Sequence, residues 1–216
     1  LFADDTLAHD IFSLTFDSRG QVVVSGPGYV RALLDSNGDG RADAARQFSD
    51  FPKSGAQGLC FDGADLWLTG DNVLARLRDV NGDGQADGPP ETIARIRSGE
   101  HGGHAIVKGP DGCFYVVCGN DAGIRQGHAR ASSSPIHDPR CGAILRIAPD
   151  QSRSEVVAHG FRNPYDLTFT PDGRLWTIDS DGERDHHLPW YVPTRLFHVA
   201  TGREHGWLAG EWSSAI

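Results

Sequence analysis

The sequence has no methionine, no Cys-x-x-Cys pair and no apolar run near the roughly 18 residues that cross a bilayer. These absences exclude a c-type haem attachment motif and a membrane-spanning helix within the chain. Positive charge is also scarce, because 20 Lys and Arg stand against 29 Asp and Glu and leave a formal net charge of −9. A chain with this balance is poorly suited to nucleic acid, and no nucleic-acid partner is expected.

Cysteine is present but sparse, with four residues in 216. Cys60, Cys113 and Cys118 lie in apolar runs, which predicts buried small side chains. A Cys118–Cys141 bridge that closes the intervening loop is the alternative for that pair. The cysteines therefore do not define the redox compartment.

Glycine is abundant, at 27 residues, and every copy of one repeated unit contains it in its turn. The unit is an alternating strand, a turn that contains Gly, and a second strand. In two copies the turn is Pro-Asp-Gly, which places Pro where φ is preset and Gly where φ becomes positive. The four copies cover residues 14–24, 59–68, 106–116 and 167–177. Further strands are predicted at 32–34, 73–77, 143–147, 155–157 and 195–199.

The spacing of the four units matches the blades of a β-propeller. Equivalent positions are separated by 44 (66 − 22), 48 (114 − 66) and 61 (175 − 114) residues, and a four-stranded blade needs about 40–50. A polar surface loop at 119–142 explains the long third interval. The sequence therefore predicts an all-β chain with about four blades, forming a single propeller domain over residues 1–216. An all-β sandwich with chance similarity between hairpins is the alternative.

Two nearly identical acidic segments follow the pattern Asp-x-Asn-Gly-Asp-Gly-x-Ala-Asp. Oxygen-bearing residues at positions 1, 3, 5 and 9, with Gly at 6, match the opening of an EF-hand calcium loop. The candidate ligands are Asp35, Asn37, Asp39 and Asp43 in one loop and Asp79, Asn81, Asp83 and Asp87 in the other. Arg46 and Pro90 stand where the bidentate Glu belongs, so each site is weaker or is completed elsewhere. The alternative is a metal-free loop in which Asp and Asn side chains bond the backbone.

Two segments that lead into strands are candidates for a ligand site, since loops at strand ends converge on the mouth of a propeller channel. His101 and His104 lie among three glycines just before the third unit. Arg162 and Asn163 occupy the equivalent place before the fourth unit. The Arg162 guanidinium is suited to a carboxylate or quinone oxygen, and Pro164 biases Asn163 toward an extended backbone.

A third polar segment, after the fourth unit, is dense in potential metal ligands. It contains Asp179, Asp181, Asp185, His186 and His187. No spacing among them identifies a metal. A lactonase-like site, with a catalytic divalent metal held by Asn163 and an Asp such as Asp179, is one alternative that these residues leave open.

Several motifs together resemble a known family. Residues 160–173 look like the Arg-Asn-Pro segment of the soluble glucose dehydrogenase and sorbosone dehydrogenase propellers, and Glu100-His101 followed by 106–112 looks like the segment with their catalytic His. Residues 188–195 and 204–207, with the paired acidic loops, resemble a branch of sorbosone dehydrogenase-like proteins abundant in planctomycetes.

The resemblance implies a ring of six blades, of which this chain holds about four, so we expect the chain to be a piece of a longer protein. It implies a dehydrogenase that binds pyrroloquinoline quinone (PQQ) and Ca²⁺ and oxidises a sugar or alcohol. By match, His101 is the general base, Arg162 contacts the quinone and stabilises the developing oxyanion, and His104 and Asn163 help to hold the cofactor. A bacterial periplasmic or extracellular location and a cytochrome c electron acceptor are implied as well.

The sequence also departs from the family pattern. The Gly-Asp that follows the blade-three strand is Gly119-Asn120 here, with Asp121 displaced by one position. No Gly-Pro that offers carbonyl groups to calcium is recognisable at 180–182, and the family's further basic contacts come from blades five and six. A non-catalytic, calcium-stabilised binding module of a larger envelope protein is therefore the alternative function.

Overall fold

The structure is a computed structural model that describes residues 1–180 and 194–207. It divides into two units, Leu1–Arg95 and Ile96–Ile216. Apart from one 3-10 turn at Gln126–His128, the regular structure of the described residues is β-strand. The predicted all-β propeller is confirmed, and its four blades are four separate sheets. In the part of the chain that is described, no helix is long and apolar enough to cross a membrane.

The first unit contains two four-stranded antiparallel sheets whose strands follow chain order. Blade one consists of β1 (Ser13–Phe16), β2 (Val22–Gly26), β3 (Tyr29–Leu34) and β4 (Ala44–Ser49). Blade two consists of β5 (Gly58–Asp62), β6 (Asp65–Gly70), β7 (Val73–Leu77) and β8 (Glu91–Arg95). Apolar side chains from both sheets form one core, in which Leu66 and Leu68 are completely buried. Burying one such side chain stabilises the fold by about 1.5–3 kcal/mol.

The second unit contains blades three and four. Blade three has β9 (Gly103–Lys108), β10 (Phe114–Cys118), β11 (Gly142–Ile147) and β12 (Ser154–Phe161). The described strands of blade four are β13 (Leu167–Phe169), β14 (Leu175–Ser180) and β15 (Thr194–His198). The core between them includes Ile144, Phe161 and Leu167, contributed by both sheets.

The predicted turns form as their residues require. Gly112 and Gly173 adopt φ values of 77° and 83°, in the left-handed region that Gly reaches without steric cost. Each closes its hairpin with a backbone hydrogen bond, to the carbonyl group of Gly109 or Thr170. All four predicted hairpins and all five further predicted strands are present.

Two features differ from the sequence-based expectation, and one alternative is ruled out. The 119–142 loop is not wholly a surface loop, because it buries Ile124, Ala129 and Ile136, and Ile136 forms a bridge with Val156. A short strand, β16 (Arg203–Glu204), returns after blade four and pairs in parallel with β12. The four cysteines are free thiols, so the alternative, a Cys118–Cys141 bridge, is not formed; Cys113 and Cys118 are buried as predicted, whereas Cys60 is half-buried.

Candidate functional site

The loop before β9 carries His101 and is held in shape by its own glycines. Gly102 donates a backbone hydrogen bond to the Gly99 carbonyl, and Gly103 donates one to the Arg97 carbonyl. A Cβ on Gly102 would lie 2.5 Å from the Arg97 carbonyl oxygen, which only glycine avoids. The half-buried His101 side chain therefore projects from a tightly bonded turn.

The His101 ring makes a side-chain contact with the loop that follows β10. Its Nδ1 lies 2.6 Å from Oδ1 of Asn120. The same amide donates from Nδ2 to the carboxylate of Asp121, at 3.0 Å. The backbone supports this pairing, because Asp121 N donates to the His101 carbonyl oxygen at 3.1 Å.

Gly119 lets these loops approach one another. A Cβ at this position would lie 2.5 Å from the His101 carbonyl oxygen and 2.6 Å from Oδ1 of Asn163. Real Cβ atoms essentially never come so close to other heavy atoms, so glycine is the residue that the backbone admits here. Its own N–H donates to the Gly102 carbonyl at 2.8 Å.

The loop before β13 carries Arg162 and Asn163, and its backbone is fixed by a buried carboxylate. Asp179 on β14 is 2% exposed. Its two oxygens accept the N–H groups of Arg162 and Asn163, at 2.8 and 2.7 Å. The Arg162 guanidinium donates to Ser180 Oγ at 3.1 Å, which directs that side chain along the end of β14.

Asn163 joins this loop to the one that carries the histidines. Its Nδ2 donates to the Glu100 carbonyl oxygen at 3.0 Å, and its Oδ1 lies 3.0 Å from Nε2 of His104. The His104 ring is completely buried and packs against the Tyr165 ring, with centroids 4.5 Å apart and the ring planes tilted by 36°. Burial lowers the pKa of His104, although the hydrogen bond to Asn163 partly opposes this shift. The ring is therefore neutral at neutral pH.

The structure brings all four residues predicted for the central site into one hydrogen-bonded cluster. His101 and Arg162 are linked through Asn120, whose N–H donates to the Arg162 carbonyl at 2.7 Å. His104 lies beneath the cluster, where it orients Asn163 and meets Tyr165. Direct contact between His104 and a cofactor stays a prediction.

Sequence reasoning missed the partners of these residues. In the sequence, Asn120 and Asp121 stand out only as a departure from the family pattern, and Asp179 belongs to a segment dense in potential metal ligands. In the structure both oxygens of Asp179 accept backbone hydrogen bonds, which gives that carboxylate a structural role. The other members of that predicted set, Asp181, Asp185, His186 and His187, lie outside the described residues.

The two acidic loops have matching hydrogen-bond networks. The first carboxylate of each loop accepts three backbone N–H groups, those of Gly38, Asp39 and Gly40 for Asp35 and those of Gly82, Asp83 and Gly84 for Asp79. The last carboxylate returns to the start of its loop, where Asp43 and Asp87 each accept backbone N–H groups. These are the Asx-type bonds of the metal-free alternative.

Metal ligation in these loops stays a prediction. Among residues 1–180 and 194–207, no three His, Cys, Asp or Glu side chains form a group that could hold a metal ion. Each acidic loop places an amide among its carboxylates, since Nδ2 of Asn37 contacts Asp39 and Nδ2 of Asn81 contacts both Asp83 and Asp87. In both loops the amide NH₂ group faces the carboxylates, while the asparagine oxygen accepts the backbone N–H of Asp39 or Asp83.

The fold and the cluster define a β-propeller whose blade-three and blade-four loops bring an imidazole, a guanidinium and two amides together. The chain belongs to the family described as "Domain of unknown function (DUF7133)", whose model matches residues 1–201. No protein of curated function matches the chain in sequence.

Several solved structures share the fold. The PQQ-bound aldose sugar dehydrogenase of Streptomyces coelicolor is 20% identical, with a TM-score of 0.65 over 96% of this chain and 65% of that one. A putative oxidoreductase (glucose dehydrogenase) of Thermus thermophilus is 21% identical, with a TM-score of 0.63 over 92% and 65%. Regucalcin, a calcium-binding protein of Agrobacterium tumefaciens, is 12% identical, with a TM-score of 0.55 over 91% and 64%.

The predicted resemblance to glucose dehydrogenase-like propellers is thus confirmed at the level of the fold. The chain spans 65% of the length of each of the two dehydrogenases.

Proposed function

We propose that this chain is part of a PQQ-dependent dehydrogenase that oxidises a hydroxyl group of an aldose or a related alcohol. The observation that supports the proposal most is the cluster itself. An imidazole with a fixed neighbour, His101, is linked through Asn120 to the loop that carries a guanidinium, Arg162. Alcohol oxidation needs a base for the hydroxyl proton and a cation for developing negative charge.

The donor set fits a quinone cofactor on chemical grounds. Arg162 and Asn163 would hold it, because a guanidinium and an amide suit the carboxylate and carbonyl oxygens of such a molecule. When bound, PQQ supplies an acceptor for the hydride that leaves the substrate carbon. His101 takes the hydroxyl proton, so that the alcohol loses one hydride and one proton and becomes a carbonyl compound. Asp179 holds the Arg-Asn loop in place throughout.

The proposal extends beyond residues 1–216 and includes further blades that complete a six-bladed ring. The described strands of blade four leave Ile178 and Leu196 exposed at 47% and 67%, which is the kind of apolar surface that a neighbouring sheet covers. A cytochrome c acceptor and a periplasmic or extracellular location belong to the same proposal and rest on the family resemblance alone.

The test uses the longest reading frame that contains these residues. It is purified, supplied with PQQ, Ca²⁺ and an artificial electron acceptor, and assayed on a panel of aldoses and alcohols. A His101→Ala variant should still bind PQQ but turn over about 10²–10⁴-fold more slowly, the usual contribution of a general base. His137→Ala, on the exposed loop of the same blade, is the matched control. Failure of the complete protein to bind PQQ at micromolar concentration would overturn the proposal.

A second candidate function is supported by the acidic loops rather than the cluster. Both loops carry the same pattern of Asp and Asn oxygens that opens an EF-hand calcium loop, one in blade one and one in blade two. We propose that they bind Ca²⁺ and stabilise the propeller. If the dehydrogenase assay is negative while calcium binds, the chain is better described as a calcium-stabilised binding module.

A further inference from the structure

The bond between His101 and Asn120 does not by itself say which atom carries the proton. A neutral imidazole can donate from Nδ1 or from Nε2, and an amide can present its oxygen or its nitrogen. The 2.6 Å contact between Nδ1 of His101 and Oδ1 of Asn120 fits two arrangements. Either a protonated Nδ1 donates to the amide oxygen, or the amide is turned over and its NH₂ group donates to an unprotonated Nδ1. A third group is needed to decide.

Asp121 is that third group. The Asn120 amide nitrogen lies 3.0 Å from Oδ1 of Asp121. An ionised carboxylate only accepts hydrogen bonds, so the amide must direct its NH₂ group to Asp121 and its oxygen to His101. The oxygen in turn only accepts, so Nδ1 of His101 carries the hydrogen. The unprotonated, basic nitrogen of the neutral ring is then Nε2.

The backbone keeps these three residues in register. Asn120 N donates to the Arg162 carbonyl at 2.7 Å, and Asp121 N donates to the His101 carbonyl at 3.1 Å. Asn120 is therefore held between the two loops, and its amide has little freedom to leave the imidazole. These two backbone hydrogen bonds fix the main-chain positions of Asn120 and Asp121, and therefore the points from which their side chains project.

We propose that Asn120 is a positioning residue that holds His101 in the Nδ1–H tautomer, and that Asp121 holds Asn120 in the orientation this requires. The inference rests on the proposed function for its catalytic consequence, since it assigns Nε2 as the atom that takes the substrate proton. The assignment of the tautomer itself depends only on the described contacts. Because the partner of Nδ1 is a neutral amide, the tautomer is fixed without a negatively charged group in contact with the imidazole.

The tautomer is measured without cofactor or turnover. The full chain is labelled with ¹⁵N-histidine, and long-range proton–nitrogen correlation spectra distinguish a protonated from an unprotonated ring nitrogen. The His101 signals are assigned by their loss in His101→Gln. We expect Nδ1 of the neutral His101 ring to be protonated and Nε2 to be unprotonated.

Three variants separate orientation from a general effect on folding. Asn120→Ala should convert His101 to the tautomer mixture of a solvated imidazole. Asn120→Asp should keep the Nδ1–H form, because a carboxylate also accepts from Nδ1. Asp121→Ala should broaden or split the His101 signals, since the amide loses the group that orients it. Gln47→Ala, a surface amide on β4, should leave the His101 spectrum unchanged.

The outcomes are distinct. An Nε2–H tautomer in the wild-type chain, or a spectrum that Asn120→Ala leaves unaltered in a folded protein, overturns the inference. If Asn120→Ala does not fold, Asn120→Asp still tests the inference. A loss of the Nδ1–H form of His101 in Asn120→Asp would overturn it as well. A correct tautomer in a protein without dehydrogenase activity refutes the proposed function and leaves the positioning role intact.

Kinetics provide the second readout if the protein is active. Asn120→Ala should lower kcat roughly 10- to 100-fold, as the loss of a group that orients a metal-bound imidazole does, with a smaller change in KM. Asn120→Asp should restore most of kcat. Equal losses in both variants would show that only the packing of the loop matters and would also refute the inference.

Discussion

The Gly119→Ala substitution tests the close approach of the two site loops. The new methyl group would lie 2.5 Å from the His101 carbonyl oxygen and 2.6 Å from Oδ1 of Asn163, where ordinary contact begins at 3.4 Å. The first atom therefore has to move by 0.9 Å (3.4 − 2.5) and the second by 0.8 Å (3.4 − 2.6). The carbonyl group is backbone and is bonded to Asp121 N, so it cannot move alone.

The expected cost follows from overpacking. Forcing an extra carbon into a well-packed site destabilises proteins by about 1–3 kcal/mol. For a chain of 150–250 residues each kcal/mol lowers Tm by about 2–4 °C, so Gly119→Ala should melt about 2–12 °C below the wild type. The displacement of the His101 carbonyl group should also weaken the His101–Asn120 hydrogen bond, because both residues flank the new methyl group.

The assay is thermal unfolding followed by circular dichroism, together with the imidazole spectra described above. Gly127→Ala is the matched control, since no atom lies within 4 Å of a Cβ built there and its φ is not in the left-handed region. It should melt within about 2 °C of the wild type, because a surface substitution changes stability by about 0.5 kcal/mol or less. If Gly119→Ala has the same Tm as Gly127→Ala and keeps the His101 tautomer, the two loops do not approach each other as closely as the structure shows.

Three further predictions concern the carboxylate, the buried imidazole and the acidic loops. Asp179→Ala should destabilise the fold by roughly 3 kcal/mol, because two hydrogen bonds to a charged acceptor are lost at about 1.5 kcal/mol each; equal urea midpoints for it and the exposed Asp138→Ala control would contradict this. Burial lowers the pKa of His104, so the unfolded chain binds its proton more readily and stability should fall as pH drops through about 6.5; His104→Gln should flatten that dependence in denaturant titrations at several pH values. Calcium titration by calorimetry should release or absorb heat that Asp39→Ala and Asp83→Ala each reduce, whereas the absence of heat and of a thermal shift at millimolar Ca²⁺ would leave only the metal-free loops.

The sequence by itself determined the blades. Local turn chemistry decides a hairpin, because Pro-Asp-Gly presets the backbone of a tight turn and the alternating residues on either side then pair. The acidic loops are equally local, since Asp35 and Asp79 bond amide groups only three to five residues ahead. The outer strands β4 and β8 escape prediction because their side chains are mostly half-buried or exposed, which leaves a weak hydrophobic pattern.

Only the tertiary structure decided how the site is assembled. The identities of His101 and Arg162 suggested chemistry, but their partners are far away along the chain: Asn120 is 19 residues from His101, and Asp179 is 17 from Arg162. No spacing rule connects such positions, because the folded sheets set which loops meet. The close contact at Gly119 and the proton on Nδ1 of His101 follow from that meeting, since each depends on atoms from two or more loops.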